Sequence, residues 1–403
     1  MKADKLNIFG IEIDITTRAK ALDRVNGFLN DGGQHFIVTP NPEIILGADQ
    51  DEELWYILNQ ASMAIPDGIG LKFAALLSGI RIERVTGADL LPELLALAMK
   101  EKIKVAVLNW RAGLSRGDEI KDAIKKKYVG LEIEVFDIEK DGKGLDRETI
   151  NLYAPKLLFV ALGSPYQEQT MYHELPKLPS IRLAMAVGGA FDFLTGKRRR
   201  APRVLQALGL EWFWRLVIQP ARWRRIYQAV VVFPYKFLKW KFVLPYFYRP
   251  NVVCFLYKKE ASGYKIFIVE RTDKKDHWQL PQGGTHGETL EVAGLRELRE
   301  EIGCDKFRSV VAVPNLWKYD FGADSGGYKR QKHSGYRGQR QGLLIAEYLG
   351  EDSDIKINFW DHSAWRWVEA EKLVESVFSV RQESAKIYLE KFYEAVKSEV
   401  KLS

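Results

Sequence analysis

The sequence is poor in cysteine, and this excludes most cysteine-based architectures. Its two cysteines, Cys254 and Cys304, are far apart in the 403-residue chain and form no CxxC pair. A disulfide framework and a structural zinc site are therefore not expected, and a reducing cytoplasm is the expected compartment. Internal repeats and low-complexity tracts are missing as well. The length predicts two globular domains, or three.

Long uncharged apolar runs are also missing. The N-terminus has no apolar core of the signal-peptide type. The most apolar stretch, residues 229–247, is interrupted by three lysines and two prolines. A membrane-spanning helix needs about 20 mostly uncharged residues. We therefore interpret this stretch as interfacial or packed, and not as a membrane span.

The positive charge is modest in total but clustered in one region. The formal net charge is +7, and much of the excess lies between Lys197 and Lys241. From Lys197 to Arg225 there are nine Lys or Arg, one acid (Glu211) and interleaved tryptophans. Such a stretch fits a nucleic-acid surface, a membrane-facing surface or a phosphate site. A solvated basic helix with a tryptophan core face is the alternative without a ligand.

Apolar strand patterns alternate with helical patterns through the first half. The strand candidates begin after residue 34 and include residues 104–109, 131–136, 156–163 and 182–188. This alternation predicts a doubly wound, mainly parallel, Rossmann-like sheet, whose ligands bind beyond the carboxyl ends of the strands. No GxGxxG follows the first strand, so a dinucleotide fingerprint is absent. Asp49-Gln-Asp51 resembles a metal-binding DxD, but a helix cap is the preferred interpretation.

Seven short motifs follow these strands or the helices between them. Taken singly, each has a simple structural explanation such as a turn, a helix cap or tight packing. The motifs are Thr39–Glu43, Pro66–Gly70, Arg84–Leu90, Gly163–Glu168, Gly188–Asp192, Arg200–Pro202 and Gly209–Trp212. Their order resembles the WecB/TagA/CpsF glycosyltransferase family (glycosyltransferase family 26), over roughly residues 5–240.

The resemblance implies a metal-independent, inverting transfer that requires no cofactor. An N-acetylhexosamine, typically of the N-acetylmannosamine type, would pass from a UDP-sugar donor to a polyprenyl-diphosphate-linked sugar. This reaction belongs to cell-surface polysaccharide synthesis at the inner face of the cell membrane. The expected localisation is therefore cytoplasmic and peripheral to that membrane, and a homo-oligomer is left open.

The resemblance also implies roles for individual residues. Asp67 is the candidate catalytic base, with Thr39 and Asn41 beside the acceptor sugar. Gln167 and Glu168 would hold the uridine-ribose side of the donor. The remaining implied contacts are all to phosphate. Gly188 and Gly189 would make them through the backbone, and Arg215, Arg222 and Arg225 through their guanidinium groups.

The pattern changes after Pro250. Two strands joined by a turn are followed by a charged helix at Glu288–Ile302. In this helix Glu297, Glu300 and Glu301 have i, i+3 and i+4 spacing, so their carboxylates share one face. One interpretation is a surface helix whose charged side chains form salt bridges with each other. Crowded carboxylates also suit a hard cation bound together with phosphates.

This segment resembles the Nudix box, in a form one residue short between Gly283 and Glu288. Other motifs over about residues 250–398 resemble the RNA pyrophosphohydrolase and diadenosine-polyphosphate hydrolase branch. The resemblance implies Mg²⁺, or Mn²⁺, bound by Glu297, Glu300 and Glu301, and attack of water on a phosphorus. Asp361 occupies the position of a further catalytic acid. Basic residues at 329–333 would hold a nucleotide or an RNA 5′-polyphosphate, or would form a solvated loop.

The sequence therefore predicts an α/β protein with three parts. Residues 1–228 form the glycosyltransferase domain, 229–249 a basic-aromatic interfacial segment or linker, and 250–403 an α+β Nudix domain with a mixed sheet in an α/β/α sandwich. We expect a bifunctional enzyme. The alternative is that one half is catalytic and the other is a nucleotide- or RNA-binding module.

Overall fold

A computed structural model describes most of the chain. It covers residues 5–83, 85–202, 204–205, 209–261, 263–321 and 335–402, with side chains to residue 398. The chain divides into two compact units, Met1–Lys239 and Trp240–Ser403. The division lies inside the segment 229–249 that the sequence sets apart. In the described part of the chain, no helix combines the length and apolarity that crossing a bilayer requires.

The first unit contains eight strands and twelve described α-helices. The strands are β1 (Lys5–Ile8), β2 (Ile11–Asp14), β3 (His35–Val38), β4 (Met63–Ala64), β5 (Val105–Trp110), β6 (Ile133–Ile138), β7 (Leu157–Ala161) and β8 (Leu183–Ala186). The helices are α1 (Arg18–Asn30), α2 (Pro42–Ala48), α3 (Glu52–Gln60), α4 (Ile69–Leu77), α5 (Gly87–Lys100), α6 (Gly117–Lys127), α7 (Arg147–Tyr153), α8 (Tyr166–Glu174), α9 (Phe191–Leu194), α10 (Glu211–Ile218), α11 (Trp223–Tyr227) and α12 (Phe233–Leu238).

Six of these strands form one parallel sheet in the order β4-β3-β8-β7-β5-β6. The predicted doubly wound parallel sheet is thus confirmed. Helices α1, α5 and α6 supply apolar side chains to the core on one face. The alternation of strand side chains sends Phe36 to the opposite face, where its ring packs 6.5 Å from that of Tyr172 on α8. A separate antiparallel hairpin, β1–β2, precedes the sheet.

The aspartate pair that resembles a DxD motif caps a helix. Asp51 is the N-cap of α3, and its Oδ1 accepts from the Leu54 backbone N at 2.9 Å. Asp49 accepts from Lys236 Nζ at 2.8 Å. These contacts support the structural interpretation of the pair.

The segment after residue 228 is helical and half packed. Phe233 and Phe237 are fully buried in the first unit, and their rings lie 5.9 and 6.3 Å from that of Phe9. Full burial of a phenylalanine contributes about 1.5–3 kcal/mol. The aromatic residues on the other side of the segment, including Tyr235, remain exposed. The part of the segment up to Lys239 is therefore anchored within the first unit by Phe233 and Phe237.

The second unit is built on a mixed sheet. Its strands are β9 (Tyr248–Glu260), β10 (Gly263–Arg271), β11 (Trp278–Gln279), β12 (Gln282–Gly284), β13 (Phe307–Asp320), β14 (Gly338–Tyr348) and β15 (His362–Glu369). Its helices are α13 (Leu290–Ile302), α14 (Leu373–Ser376) and α15 (Gln382–Leu402).

The strand order is β11-β10-β9-β14-β13, with β12 also paired to β9 and β15 to β10. Only β9 and β14 are parallel, and the other pairs are antiparallel. Side chains of β9 alternate between two cores. Val253 and Phe255 pack towards α15, whereas Val252 and Cys254 pack towards α13. The predicted α/β/α sandwich with a mixed sheet is therefore confirmed.

Candidate active sites

The loops after β3 and β4 bring three predicted residues to one edge of the parallel sheet. Thr39 and Asn41 follow β3, and Asp67 follows the neighbouring strand β4. The Asp67 backbone N donates to Pro40 O at 2.8 Å, so the two loops are held together. Asp67 is partly exposed.

Two of these side chains, those of Thr39 and Asn41, also make hydrogen bonds within the fold. Thr39 is 7% exposed, and its Oγ1 donates to Ala186 O at 3.5 Å. Asn41 is the N-cap of α2, where its Oδ1 accepts from Glu43 N and Ile44 N at 2.9 and 3.0 Å. Its Nδ2 remains as the donor that could meet a sugar hydroxyl.

Gln167 joins the ends of β7 and β8, which are neighbours in the sheet. Its Oε1 accepts from the Gly188 backbone N at 3.1 Å, and its Nε2 donates to Glu168 Oε1 at 2.8 Å. Gly188 has φ +49°, in the left-handed region that glycine adopts without strain. The predicted donor residues from two separate motifs therefore lie in direct contact.

Glu168 is completely buried. Burial raises the pKa of its carboxyl to about 7, against the smaller opposing effects of hydrogen bonds from Gln167 and Ser164. Oε2 of Glu168 has no hydrogen-bond partner among the described residues. The carboxyl is thus poised between its neutral and charged forms near neutral pH.

The turn at Gly189 contacts an arginine that the sequence analysis did not select. A Cβ on Gly189 would lie 2.9 Å from Nη1 of Arg198. Arg198 pairs with Asp192 at 3.1 Å, and Asp192 accepts from Ser115 Oγ at 2.8 Å. In the sequence, the only indication of a role for Arg198 is the basic run at residues 197–200, which follows the glycine motif. The fold is needed to place Arg198 against the turn at Gly189.

Four arginines gather beside these loops. Burial, followed by the nearby charges of Arg225, Arg198 and Arg215, lowers the pKa of Arg222 to about 10. The other three arginines have carboxylate partners, namely Glu43, Asp192 and Glu211. Arg222 has none within ion-pair distance in the described ranges. A cation strained by like charges favours a bound anion, as phosphate recognition requires.

Arg84, in the third motif, lies outside the described residues. The next residues of that motif are described. Thr86 is the N-cap of α5, and its Oγ1 donates to Asp89 Oδ2 at 2.6 Å. Asp89 also pairs with Arg200 at 2.5 Å. This contact joins the third motif to the sixth.

The second unit presents the three glutamates on α13 as the i, i+3, i+4 spacing predicts. Glu297 and Glu301 are buried, whereas Glu300 is exposed. The backbone of β12 passes directly over Glu297. A Cβ on Gly283 would lie only 1.8–2.1 Å from the Glu297 carboxylate. Glycine is therefore required at this crossing.

Arg296 occupies the centre of the carboxylate group. Its Nη1 donates to Glu297 Oε1 at 2.8 Å and Glu300 Oε2 at 3.1 Å, and its Nε donates to Glu288 at 3.0 Å. Within the described ranges, no three His, Cys, Asp or Glu side chains are arranged to hold a metal ion. The donor set nevertheless fits a hard cation, because the acceptor-only carboxylates of Glu297 and Glu301 are both buried on one face of the helix.

Asp361 lies in the turn immediately before β15. Its backbone N donates to Asn358 Oδ1 at 3.0 Å. The next residue, His362, is buried with Nε2 3.2 Å from Glu301 Oε2. The turn is thereby positioned beside the carboxylate helix. The basic residues at 329–333 lie outside the described part of the chain.

A small cavity of about 20 Å³ lies between α15 and the sheet of the second unit. Its polar lining includes Gln282, Gln341, Arg381 and Tyr388. Gln341 Nε2 donates to Gln282 Oε1 at 2.7 Å, and Tyr388 Oη donates to Gln341 Oε1 at 2.8 Å. The backbone N of Gln282 also donates to Glu301 Oε1 at 3.3 Å. One residue thus links the cavity to the carboxylate helix.

Comparisons with known proteins match each unit to a different family. The model of the WecG/TagA/CpsF glycosyl transferase family matches residues 6–245, more than half of the chain. The chain belongs to this family. A NUDIX domain model matches residues 247–390. The chain accordingly joins a glycosyltransferase of the WecG/TagA/CpsF family to a Nudix hydrolase, and both predicted enzyme classes are confirmed.

Individual relatives agree with this division. An N-acetylglucosaminyldiphosphoundecaprenol N-acetyl-beta-D-mannosaminyltransferase from Bacillus subtilis is 34% identical over 198 residues, or 47% of this chain and 74% of that protein. Its counterpart from Staphylococcus aureus strain MRSA252 is 30% identical over 246 residues, or 59% of this chain and 93% of that protein. An RNA pyrophosphohydrolase from Wolbachia pipientis is 37% identical over 157 residues, or 38% of this chain and 94% of that protein.

Proposed function

We propose that the first unit transfers an N-acetylmannosamine-type sugar from a UDP donor to a polyprenyl-diphosphate-linked acceptor. The observation that carries the proposal is the convergence of motif loops from neighbouring strands beside an arginine cluster. The Bacillus and Staphylococcus relatives are named for this reaction. Glycosyl transfer needs a base for the acceptor hydroxyl and positive charge for the leaving diphosphate. Both are available at this edge.

Asp67 takes the proton from the acceptor hydroxyl in this proposal. Thr39 and the Asn41 amide orient the acceptor sugar beside it. Gln167 and Glu168 hold the ribose side of the donor, and the Gly188–Gly189 turn brings backbone close to the donor phosphates. Arg215, Arg222 and Arg225 contact the diphosphate of the lipid-linked acceptor. We add Arg198, which touches the Gly189 turn, as the contact to the leaving diphosphate of the donor.

The helical segment near the arginines is proposed to rest on the cytoplasmic membrane surface. Trp223, Tyr227, Val231 and Tyr235 follow each other at intervals of four residues, and all are exposed. This spacing places them along one stripe of a helix. Exposed aromatic rings flanked by arginines are suited to the interface of an anionic bilayer. The acceptor lipid would be met at that surface.

The second unit is proposed to hydrolyse a pyrophosphate bond in a nucleotide or an RNA 5′-polyphosphate. Glu297, Glu300 and Glu301 would hold Mg²⁺, or Mn²⁺, after exchanging the contacts that two of them make with Arg296. When bound, the cation would neutralise phosphate charge and activate water. Asp361 is proposed as a further acid at the same edge.

Two substrate panels test these proposals with the full chain. UDP-sugars are supplied with a short-chain polyprenyl-diphosphate-linked N-acetylglucosamine, and transfer is followed by the change in acceptor mass. Triphosphorylated RNA, dinucleoside polyphosphates and nucleotide sugars are supplied with Mg²⁺, and phosphate or pyrophosphate release is measured. Failure of every UDP-sugar would refute the transferase proposal. Hydrolysis without added divalent metal, in the presence of chelator, would contradict the metal role.

A further inference from the structure

Three side chains meet beyond the carboxyl ends of β7, β5 and β6, which are consecutive in the parallel sheet. Trp110 is the last residue of β5, and Lys140 lies in the turn after β6. Tyr166 begins α8, after β7. Each residue comes from a different strand end, so only the fold brings them together.

Lys140 lies between the two aromatic rings. Its Nζ is 4.0 Å from the centroid of the Trp110 ring and 5.8 Å from that of Tyr166. Among the described residues Lys140 has no carboxylate within ion-pair distance, whereas Lys143 in the same turn pairs with Asp141 at 2.9 Å. Tyr166 is 38% exposed. The three residues thus present accessible aromatic surface and an ammonium without an anion.

We call Trp110, Lys140 and Tyr166 the platform. Hydrogen bonds of the residues next to Trp110 hold it in position. Asn109, next to Trp110, is buried and donates to Asp137 Oδ1 at 2.7 Å and Ser115 O at 3.0 Å. Arg111, on the other side, donates from its backbone N to Ile138 O at 2.8 Å. The ends of β5 and β6 are therefore fixed to each other, and Trp110 with them.

The platform adjoins the proposed donor site. Tyr166 is followed directly by Gln167, whose Oε1 binds the Gly188 backbone N. A nucleotide with its ribose at Gln167 and its phosphates at the Gly188–Gly189 turn would extend its base away from the phosphates. Trp110, Lys140 and Tyr166 lie at the adjoining strand ends on that side, since β7 separates β8 from β5.

We propose that Trp110, Lys140 and Tyr166 form the base subsite of the donor nucleotide and select uracil. The inference rests on the proposed UDP-sugar transfer. Aromatic side chains stack on any base. Selectivity comes from Lys140, which has three donors and no acceptor. Uracil offers a carbonyl oxygen at position 4, where cytosine carries an amino donor. The ammonium that covers Trp110 in the free protein moves to that oxygen as the base stacks.

The test measures nucleotide binding by the full chain, using calorimetry with UDP and CDP in the presence of a metal chelator. Trp110→Ala and Tyr166→Ala are each expected to weaken UDP binding about tenfold. Lys140→Met is expected to bring the UDP and CDP dissociation constants to within about twofold of each other. Lys143→Met, in the same turn, is the matched control and retains the preference for UDP. Thermal unfolding of each variant verifies that the fold is kept.

The outcomes separate this inference from the proposed function. If the unaltered protein binds UDP and all three variants match it in affinity and base preference, the base subsite is wrong and the transferase proposal stands. If the unaltered protein binds no UDP, both are wrong. If the variants lose affinity for a UDP-sugar but not for UDP, the platform holds the sugar and the base assignment is overturned. Should Trp110→Ala fail to fold, Lys140→Met with its control decides.

Discussion

Arg225 donates a hydrogen bond from Nε to Oε2 of Glu43 at 2.7 Å. Glu43 lies in the first turn of α2, which Asn41 caps. This contact holds the arginine-rich segment against the loop that carries Thr39 and Asn41. The proposed contacts to the acceptor sugar and to its diphosphate are therefore parts of one continuous site.

Replacement of Arg222 should weaken acceptor binding selectively. Burial and the adjacent arginines disfavour its charge, and a bound diphosphate would relieve that repulsion. We expect Arg222→Met to raise the KM for the lipid-linked acceptor by about tenfold or more. Steady-state kinetics at fixed donor concentration measure this. Arg224→Met, at an exposed neighbouring position, is the control, and an equal KM in both variants would disprove the phosphate role.

Asp67→Asn should stop sugar transfer and spare hydrolysis. The amide keeps the size of the side chain but cannot accept the acceptor proton, and loss of a general base costs about 10²- to 10⁴-fold in rate. Transfer and pyrophosphate release are assayed on the same preparation. Asp23→Asn, on the exposed side of α1, serves as the control. Transfer by Asp67→Asn at the parent rate would eliminate Asp67 as the base.

Glu300→Gln should reduce pyrophosphate hydrolysis and spare sugar transfer. Glu300 is the exposed member of the carboxylate group, so its replacement disturbs the core least. Loss of a ligand should lower Mg²⁺-dependent hydrolysis on the order of a hundredfold, because cation charge stabilises the transition state by several kcal/mol. Sugar transfer should be unchanged. Glu291→Gln, exposed on the first turn of the same helix, is the control. Full hydrolysis by Glu300→Gln would refute the carboxylate assignment.

Glu168→Gln should change how stability depends on pH. The folded-state pKa is raised from 4.5 to about 7, so the buried carboxyl is neutral below that range. The unfolded state deprotonates first, and stability is therefore lost as pH rises from about 4.5 to 7. Glu168→Gln has no carboxyl to titrate and does not show this loss. Its free energy of unfolding relative to that of the parent should therefore increase between about pH 4.5 and pH 7, by on the order of 3 kcal/mol. Urea unfolding at pH 5 and pH 8 measures the difference, and a pH-independent difference would contradict the buried-acid interpretation.

The exposed aromatic stripe should govern membrane association. Trp223→Ala combined with Tyr227→Ala removes two interfacial anchors without touching the buried Phe233 and Phe237. We expect the double variant to lose about tenfold or more in affinity for anionic phospholipid vesicles. Co-sedimentation measures this. Leu152→Ala, exposed on α7, is the control, and unchanged sedimentation of the double variant would remove the membrane proposal.

Periodicity was sufficient to predict most of the parallel sheet. The predicted strands 104–109 and 182–188 correspond to β5 and β8, because their apolar runs are buried on both faces. The hairpin β1–β2 was missed, because polar residues alternate with apolar ones in both of its short strands and neither contains the continuous apolar run of the predicted strands. The sequence also could not supply the strand order, because pairing between β3 and β8 depends on contacts far apart in the chain.

The sites were predictable as motifs but not as contacts. Helical spacing alone placed Glu297 and Glu301 on one face. In contrast, Arg198 and Lys140 carry no motif, and their positions depend on which loops the sheet brings together. The interaction of Arg296 with Glu297 was equally invisible, because adjacent residues on a helix are not expected to pair.

The central pairing of the first unit also constrains when its site can exist during synthesis. Strand β3 ends at Val38, and its partner β8 begins at Leu183. A ribosome must therefore make most of this unit before Thr39 and Gly188 can meet. Pairing across such a separation is slow because a long loop must close first. During synthesis β3 can therefore pair early with β4, but its other edge stays unpaired until β8 has been made.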